Sequence, residues 1–309
     1  MRSDPETGTP PPSHRLPVHV IGNVNLDLVM GPVPPWPTPG TETVVEQEEV
    51  RAGGAAGVTA LALQALGVTF TLHATIGRDD FGEVVRRKLG PAGSQLQVVE
   101  APTVYSVGVG HPNGERTFLT SRGHLDQLDV DRLLGDLGAA EPGLVLVCGY
   151  FLLPALRARI VEVLEAATMR GHRVLLDTGW PSEGFTPAVR AELGSMLGFL
   201  DIVTPNEAEA RGWTGEVDAG VASRALALGG VTVVLKRGGS GARLVDREVV
   251  RDFAAPSVPL VDTVGAGDCF NAALLAALSA RRPVDEAVAR AVAYATTVIG
   301  TRPRRYAAN

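Results

Sequence analysis

The chain has 309 residues, two cysteines, six histidines and a formal net charge of -6 at pH 7. That length suits one large α/β domain or two small ones and is ample for a buried core, while the acidic balance argues against a nucleic-acid surface, where a basic patch is expected. Cys148 and Cys269 both sit in apolar runs, so they read as small buried residues of a reducing, cytoplasmic compartment rather than as a disulfide framework.

Residues 1–17 carry Pro10, Pro11 and Pro12 among polar residues and no apolar stretch of signal-peptide length, so a disordered leader is expected there, with one folded domain over 18–309. Val18 to Gly22 reads as a short apolar strand leading into Asn23-Val24-Asn25-Leu26-Asp27. An Asp in that place is either a turn residue or a ligand contact, because ligands of α/β folds sit beyond the carboxyl ends of the strands. Gly31 to Gly40 is dense in proline, and Thr41 to Val50 alternates β-formers with acidic residues, as in an exposed strand with one wet face. Gly53-Gly54 then enters a predicted helix over Ala55–Leu66, followed by a strand over Thr69–Ile76 and a helix to Leu89 that Asp79 is placed to cap. A second alternating block, Thr103–Gly110 and Arg116–Ser121, is joined through Asn113-Gly114, a hairpin signal.

From Leu144 the chain alternates strand and helix: strands over Leu144–Cys148, Arg173–Leu176 and Ile202–Thr204, helices over Pro154–Met169 and Pro187–Leu197. This rhythm marks a parallel sheet with helices on both faces. The apolar stretch Leu144–Leu156 is interrupted by Gly149 and Pro154 and falls short of the roughly 18 residues of a membrane span. Asp177 sits at a strand end. Asn206 and Glu209, three apart at a helix start, are either a capping box or a pair of oxygen ligands suited to magnesium. Lys236-Arg237-Gly238-Gly239-Ser240-Gly241 lies between strands over Val231–Leu235 and Ala242–Val245. It is either a β-turn carrying a surface lysine or a backbone cradle for a nucleotide. The histidines show no metal-ligand spacing, and neither a Walker pattern nor the full dinucleotide fingerprint occurs.

The last landmark is Asp262-Thr263-Val264-Gly265-Ala266-Gly267-Asp268, which follows a short predicted strand at Val258–Val261 and opens an alanine- and leucine-rich helix. A final helix is predicted over Val284–Ile299. The first turn of a helix has amides without intrahelical partners and partial positive charge, which makes it an anion site. Asp268 is then either a helix cap or a base that takes a proton from a hydroxyl attacking phosphorus.

This signature resembles that of the PfkB, or ribokinase-like, family of carbohydrate and nucleoside kinases, and the likeness extends from about Val18 to Pro303 through Gly22-x-x-Asn25-x-Asp27, Gly53-Gly54, Asn206-x-x-Glu209 and the Gly238–Gly241 loop. It implies a three-layer α/β/α core with a mainly parallel central sheet and a small discontinuous β lid from segments near 31–52 and 101–122. It also implies ATP-dependent phosphorylation of a sugar-like hydroxyl, with Asp268 as base and the backbone amides of Gly265, Ala266, Gly267 and Asp268 as the anion hole. Asn25, Asp27, Gly53 and Gly54 would meet the substrate, and Arg122 could supply a cation from the lid. Lys236, Gly238, Gly241 and Asn206 would meet the nucleotide, with magnesium held through water by Asn206 and Glu209. Asp262 is placed for a monovalent cation such as potassium. The chain departs from the pattern at Val58, where relatives carry Asn, and after Asp177, where an Asp-Pro-Asn-x-Arg run is reduced to the Asp. Ala55, Ala56 and Gly57 offer no cation for a phosphorylated sugar, so an unphosphorylated sugar or sugar acid is expected. The competing readings are a nucleoside kinase and a non-catalytic sugar-binding regulator. No nucleic-acid or membrane partner is expected, and an exposed lid edge could pair two subunits.

Overall fold

The computed structural model describes residues 15–33, 36–111, 116–247, 249–258, 263–301 and 305–306. The predicted leader up to residue 14, the Asn113-Gly114 turn, most of the short strand before the glycine signature and Asp262 lie outside the described residues.

In chain order the strands are β1 (Val18–Ile21), β2 (Asn25–Met30), β3 (Glu48–Gly53), β4 (Thr71–His73), β5 (Thr75–Gly77), β6 (Gln97–Val99), β7 (Tyr105–Gly110), β8 (Arg116–Thr120), β9 (Leu144–Cys148), β10 (Arg173–Asp177), β11 (Ile202–Val203), β12 (Thr232–Lys236), β13 (Ala242–Asp246) and β14 (Val249–Phe253). The helices are α1 (Ala55–Ala65), α2 (Asp80–Leu89), α3 (Val130–Ala139), α4 (Pro154–Ala158), α5 (Ile160–Met169), α6 (Pro187–Met196), α7 (Glu207–Thr214), α8 (Ala219–Leu228), α9 (Ala266–Ser279) and α10 (Val284–Ile299).

Eight strands form the central sheet in the order β14-β13-β12-β11-β10-β9-β1-β4. It is parallel from β4 through β12, and β13 and β14 extend it antiparallel. Side chains alternate along each strand, so β9 sends Leu144, Leu146 and Cys148 into a core shared with α1, α9 and α10. Val145 and Val147 enter a second core under α3, α5, α6 and α8. Two apolar layers on one sheet give the three-layer α/β/α fold that the sequence rhythm implies.

The chain winds outward from β1 on one side and from β9 on the other. Between them lies the topological switch point, where the connecting loops part and leave a crevice beyond the strand ends. Asn23 follows β1 and Gly149 follows β9, and both line that crevice.

A separate four-stranded sheet, ordered β3-β2-β7-β8, is built from strands before and after α1. In its register Asp27 on β2 lies opposite Arg51 on β3 and Ser106 on β7, and Ser106 lies opposite Thr120 on β8. The alternating run from Thr41 pairs only from Glu48 onward; Thr41 instead folds back on the Thr38 carbonyl, which its amide and hydroxyl meet at 3.1 and 2.7 Å. The strand predicted over Thr69–Ile76 divides at Ala74. Its second half pairs with β6, while the Gln95 side chain accepts the Leu72 amide at 2.7 Å on the outer edge of β4. The helix predicted over Pro154–Met169 breaks at Arg159 (φ -126, ψ 18), whose guanidinium grips both Asp131 of α3 and Glu162 at 2.7 Å. Among the described residues no helix is long and apolar enough to cross a membrane.

Candidate active site

A cavity of about 720 Å³ opens at the carboxyl ends of the central strands, and it gathers Asn23, Asp177, Glu209, Lys236, Gly267 and Asp268 from five separate elements or their connections. Gly238, Gly241 and Gly265 line it as well. Gly265 is the N-cap of α9 with a left-handed backbone (φ 73), a conformation that a residue with a β-carbon adopts only under strain. Since Gly265 holds the capping position, Asp268 is in the first turn and is not the cap. Of the amides expected to form the anion hole, that of Ala266 is given to the Thr263 carbonyl at 3.2 Å. The turn that closes before the helix uses it, and the cradle falls to Gly267 and Asp268.

The cation of this site is Lys236, the last residue of β12. Its Nζ donates to Asp177 Oδ2 at 2.7 Å, and a β-carbon on Gly267 would stand only 3.2 Å from it. The side chain is 14% exposed, so the alternative of a surface lysine in a simple turn does not hold. The reason is tertiary: α9 lies over the end of β12. Asn271, one helical turn after Gly267, donates from Nδ2 to the same Asp177 oxygen at 2.5 Å. Burial works to lower the Lys236 pKa, but the Asp177 and Glu209 carboxylates outweigh it and hold the ammonium above its ordinary value. Glu209 is pushed the other way from a usual carboxylate, because burial exceeds the attraction of Lys236. Replacing Lys236 with Met leaves these carboxylates without their counter-charge and should cost about 3–5 kcal/mol of stability, read as a lower urea midpoint that Asp177→Asn in the same chain partly restores.

Asn206 and Glu209 form the capping box of α7: Asn206 Oδ1 accepts from the Glu209 amide and Glu209 Oε2 from the Asn206 amide, both at 2.9 Å. Thr204 Oγ1, just after β11, and Asn271 Oδ1, on α9, are buried without a hydrogen-bond partner among the described residues.

On the far side, Asn23 joins the cavity to a second polar chain. Its Oδ1 accepts the Ala55 amide at 3.2 Å and its Nδ2 donates to Asn25 Oδ1 at 3.0 Å, while Asn25 Nδ2 donates to Asp27 Oδ1 at 2.6 Å. A β-carbon on Gly53 would lie 2.3 Å from the Asp27 carboxylate, so only glycine leaves the acid its place. Asn25, Asp27, Gly53 and Gly54 thus stand beside the cavity wall rather than in it. Arg122 is exposed at the start of a short turn and, like Asn25 and Asp27, does not line this cavity. Val58 is a core residue packed in the layer of α1 and α9.

Sequence reasoning passed over Asn23, Asp177, Asn271 and Arg51 as site residues. The first three stand within known motifs, and their strand-end or first-turn positions were the signal. Arg51 had a fainter one, the alternation Glu49-Arg51-Gly53 on a single strand face.

A cleft at the switch point of a parallel sheet, with a glycine-opened helix, an acid and an ammonium in one wall, defines an α/β phosphotransferase class. The chain matches the pfkB family carbohydrate kinase profile over residues 17–306 and belongs to that family; it is a carbohydrate kinase of an ATP-using group. It is similar to the uncharacterized sugar kinase YegV of Escherichia coli (strain K12), with 26% identity over 301 residues, 93% of this chain and 90% of that one. It is also similar to the ribokinase of Haemophilus influenzae, with 25% identity over 283 residues and 87% of each chain covered. Its fold superposes on that of Arabidopsis thaliana ribokinase complexed with ribose and ATP with a TM-score of 0.77, at 24% identity and covering 93% and 94% of the two chains.

Proposed function

We propose that this kinase passes the terminal phosphoryl group of ATP to a hydroxyl of a sugar-like molecule, with Asp268 taking the hydroxyl proton. The observation that carries this is that Asp268 lines the same cavity as Gly267 and Lys236, with the Lys236 ammonium close against the Gly267 backbone. As the alcohol oxygen bonds to phosphorus, its proton passes to Asp268 and the bond to the bridging oxygen of ADP breaks. The Gly267 and Asp268 amides and Lys236 meet the charge on the phosphoryl oxygens. Gly238 and Gly241 border the nucleotide side, and Val292, Ala295 and Ile299 give it an apolar wall for the base.

The donor set fits magnesium. Asp177, Glu209 and Asp268 line the cavity with Lys236, so acidic charge exceeds basic charge where phosphates must come, although among the described residues no three His, Cys, Asp or Glu side chains come together closely enough to hold a metal by themselves. Hard oxygen donors that are partly used in a capping box suit an ion that keeps most of its waters. Asn206 and Glu209 would hold it, and bound there it would offset the phosphate charge. A proton on Glu209 competes with the metal. The magnesium concentration for half-maximal rate should therefore fall as pH rises through the raised Glu209 pKa, by at most about tenfold per unit, and Glu209→Gln should lose that dependence. The proposed monovalent-cation role of Asp262 is open to rates compared in potassium and in a bulky organic cation.

ATP turnover measured against a panel of sugars and nucleosides tests the reading. Turnover of a sugar supports it, turnover of nucleosides alone moves the acceptor class, and none at all removes it.

A further inference from the structure

We propose that His124 is a positioning residue for the reaction: its imidazole pins the small sheet to the catalytic crevice and so fixes Asn23 and the peptide that follows it beside the acceptor. This rests on the kinase reading. The chain passes between the small sheet and the rest of the molecule four times, from β1 to β2, from β3 to α1, from β6 to β7 and from β8 toward α3. His124 lies on the last of these links, in the short turn Gly123–Asp126, and is fully buried.

Its side chain reaches two of the other links. Nδ1 accepts the Val104 amide at 3.0 Å, at the entry to β7, and Nε2 lies 3.2 Å from the Val24 carbonyl oxygen, between β1 and β2. A ring nitrogen that accepts an amide proton carries none of its own, so the imidazole proton sits on Nε2 and is donated to Val24. Burial lowers the His124 pKa against the pull of neighbouring carbonyls and of Asp79, which keeps this tautomer at neutral pH. The His124 carbonyl accepts the Thr75 hydroxyl of β5 at 3.3 Å, and the Val104 carbonyl accepts the Leu26 amide of β2 at 3.0 Å. The third and fourth links approach closely because Gly123 is left-handed (φ 45): a β-carbon there would lie 2.4 Å from the Pro102 carbonyl oxygen.

The remaining link is tied one residue away. Asn23 accepts the Ala55 amide through Oδ1 at 3.2 Å and the Ala56 amide through its carbonyl at 3.1 Å, and a β-carbon on Gly54 would stand 2.5 Å from that carbonyl oxygen. Asn23 and Ala55 line the cavity. All four links therefore converge on Asn23 and Val24, and His124 is the side chain that holds Val24. An error of about 1 Å in placing a reactant costs about 10²-fold in rate, so the pin at this joint governs how well the acceptor side of the crevice meets the machinery on α9.

The two ring nitrogens are separable by substitution. His124→Asn keeps an acceptor near the Nδ1 position for Val104 and frees Val24, His124→Gln keeps a donor long enough to reach Val24 and frees Val104, and His124→Ala frees both. With the best acceptor from the panel, kcat/KM for the acceptor should fall by about 10²-fold in His124→Ala and by less in the other two, with the ATP KM unchanged throughout. The loss in His124→Asn should exceed that in His124→Gln, and these two variants carry the test whether or not His124→Ala folds. Thr103→Val is the companion that loosens a link without touching Val24: it removes the hydroxyl that Asp79 grips at 2.6 Å and should lower the urea midpoint while leaving acceptor kcat/KM in place. Unchanged acceptor kcat/KM in His124→Asn, or an equal loss in Thr103→Val, overturns the proposal. Absence of turnover in the unaltered chain with every acceptor removes the kinase reading beneath it instead.

Discussion

Asp268→Asn should lower kcat by about 10²–10⁴-fold while leaving the KM for ATP nearly intact. The amide keeps the shape of the side chain in the first turn of α9 but cannot take the proton of the attacking hydroxyl. The backbone of Gly267 and the Lys236 ammonium are untouched by the change, so the nucleotide should still bind. Steady-state rates together with ATP affinity measured by calorimetry separate the two effects. Full activity in the variant would remove the base from the mechanism.

The second large effect concerns stability. His19 on β1 and His73 on β4 are stacked with ring centroids 5.4 Å apart, His19 Nδ1 lying 3.1 Å from His73 Nε2, and His172 meets His19 edge-on. Burial first, and then the neighbouring histidine, lowers His19 to about 4 and His73 to about 3. Asp136 opposes the fall at His19, while Arg132 adds to it at His73. An unfolded histidine titrates near 6.5, so below that pH the unfolded chain binds more protons than the folded one. Stability is therefore complete above about 6.5 and drains as pH falls toward the folded values. His73 alone should account for a few kcal/mol. Urea midpoints measured from pH 7.5 down to 4 should decline steeply, and His73→Asn, whatever it costs at neutral pH, should flatten that limb. An equally steep limb in the variant would place the acid sensitivity elsewhere.

Much of this molecule was legible in the chain because its signals are local. The strand and helix rhythm after Leu144 gave the layered sheet, since periodic burial is a short-range property. The glycine signature located the start of α9 because glycine backbone geometry and the alanine-rich run lie within a few residues of each other. What could not be read depends on pieces distant in sequence. Lys236 is buried only because α9 covers the end of β12. Arg51 faces Asp27 only in the register of β2 with β3, and that register is set in three dimensions. The helix break at Arg159 follows from Asp131, which lies 28 residues earlier. The histidine stack joins residues 54 apart. A Coulombic or packing partner of that kind leaves no periodic trace.

β1 passes to β2 through Gly22, Asn23 and Val24 alone, yet the strands on either side belong to different sheets. In the proposed mechanism reactivity hangs from one scaffold and recognition from the other. On that reading, substitutions along β3 alter which alcohol is chosen while the machinery around α9 is inherited whole, so lineages of such a chain are free to change diet without relearning the reaction.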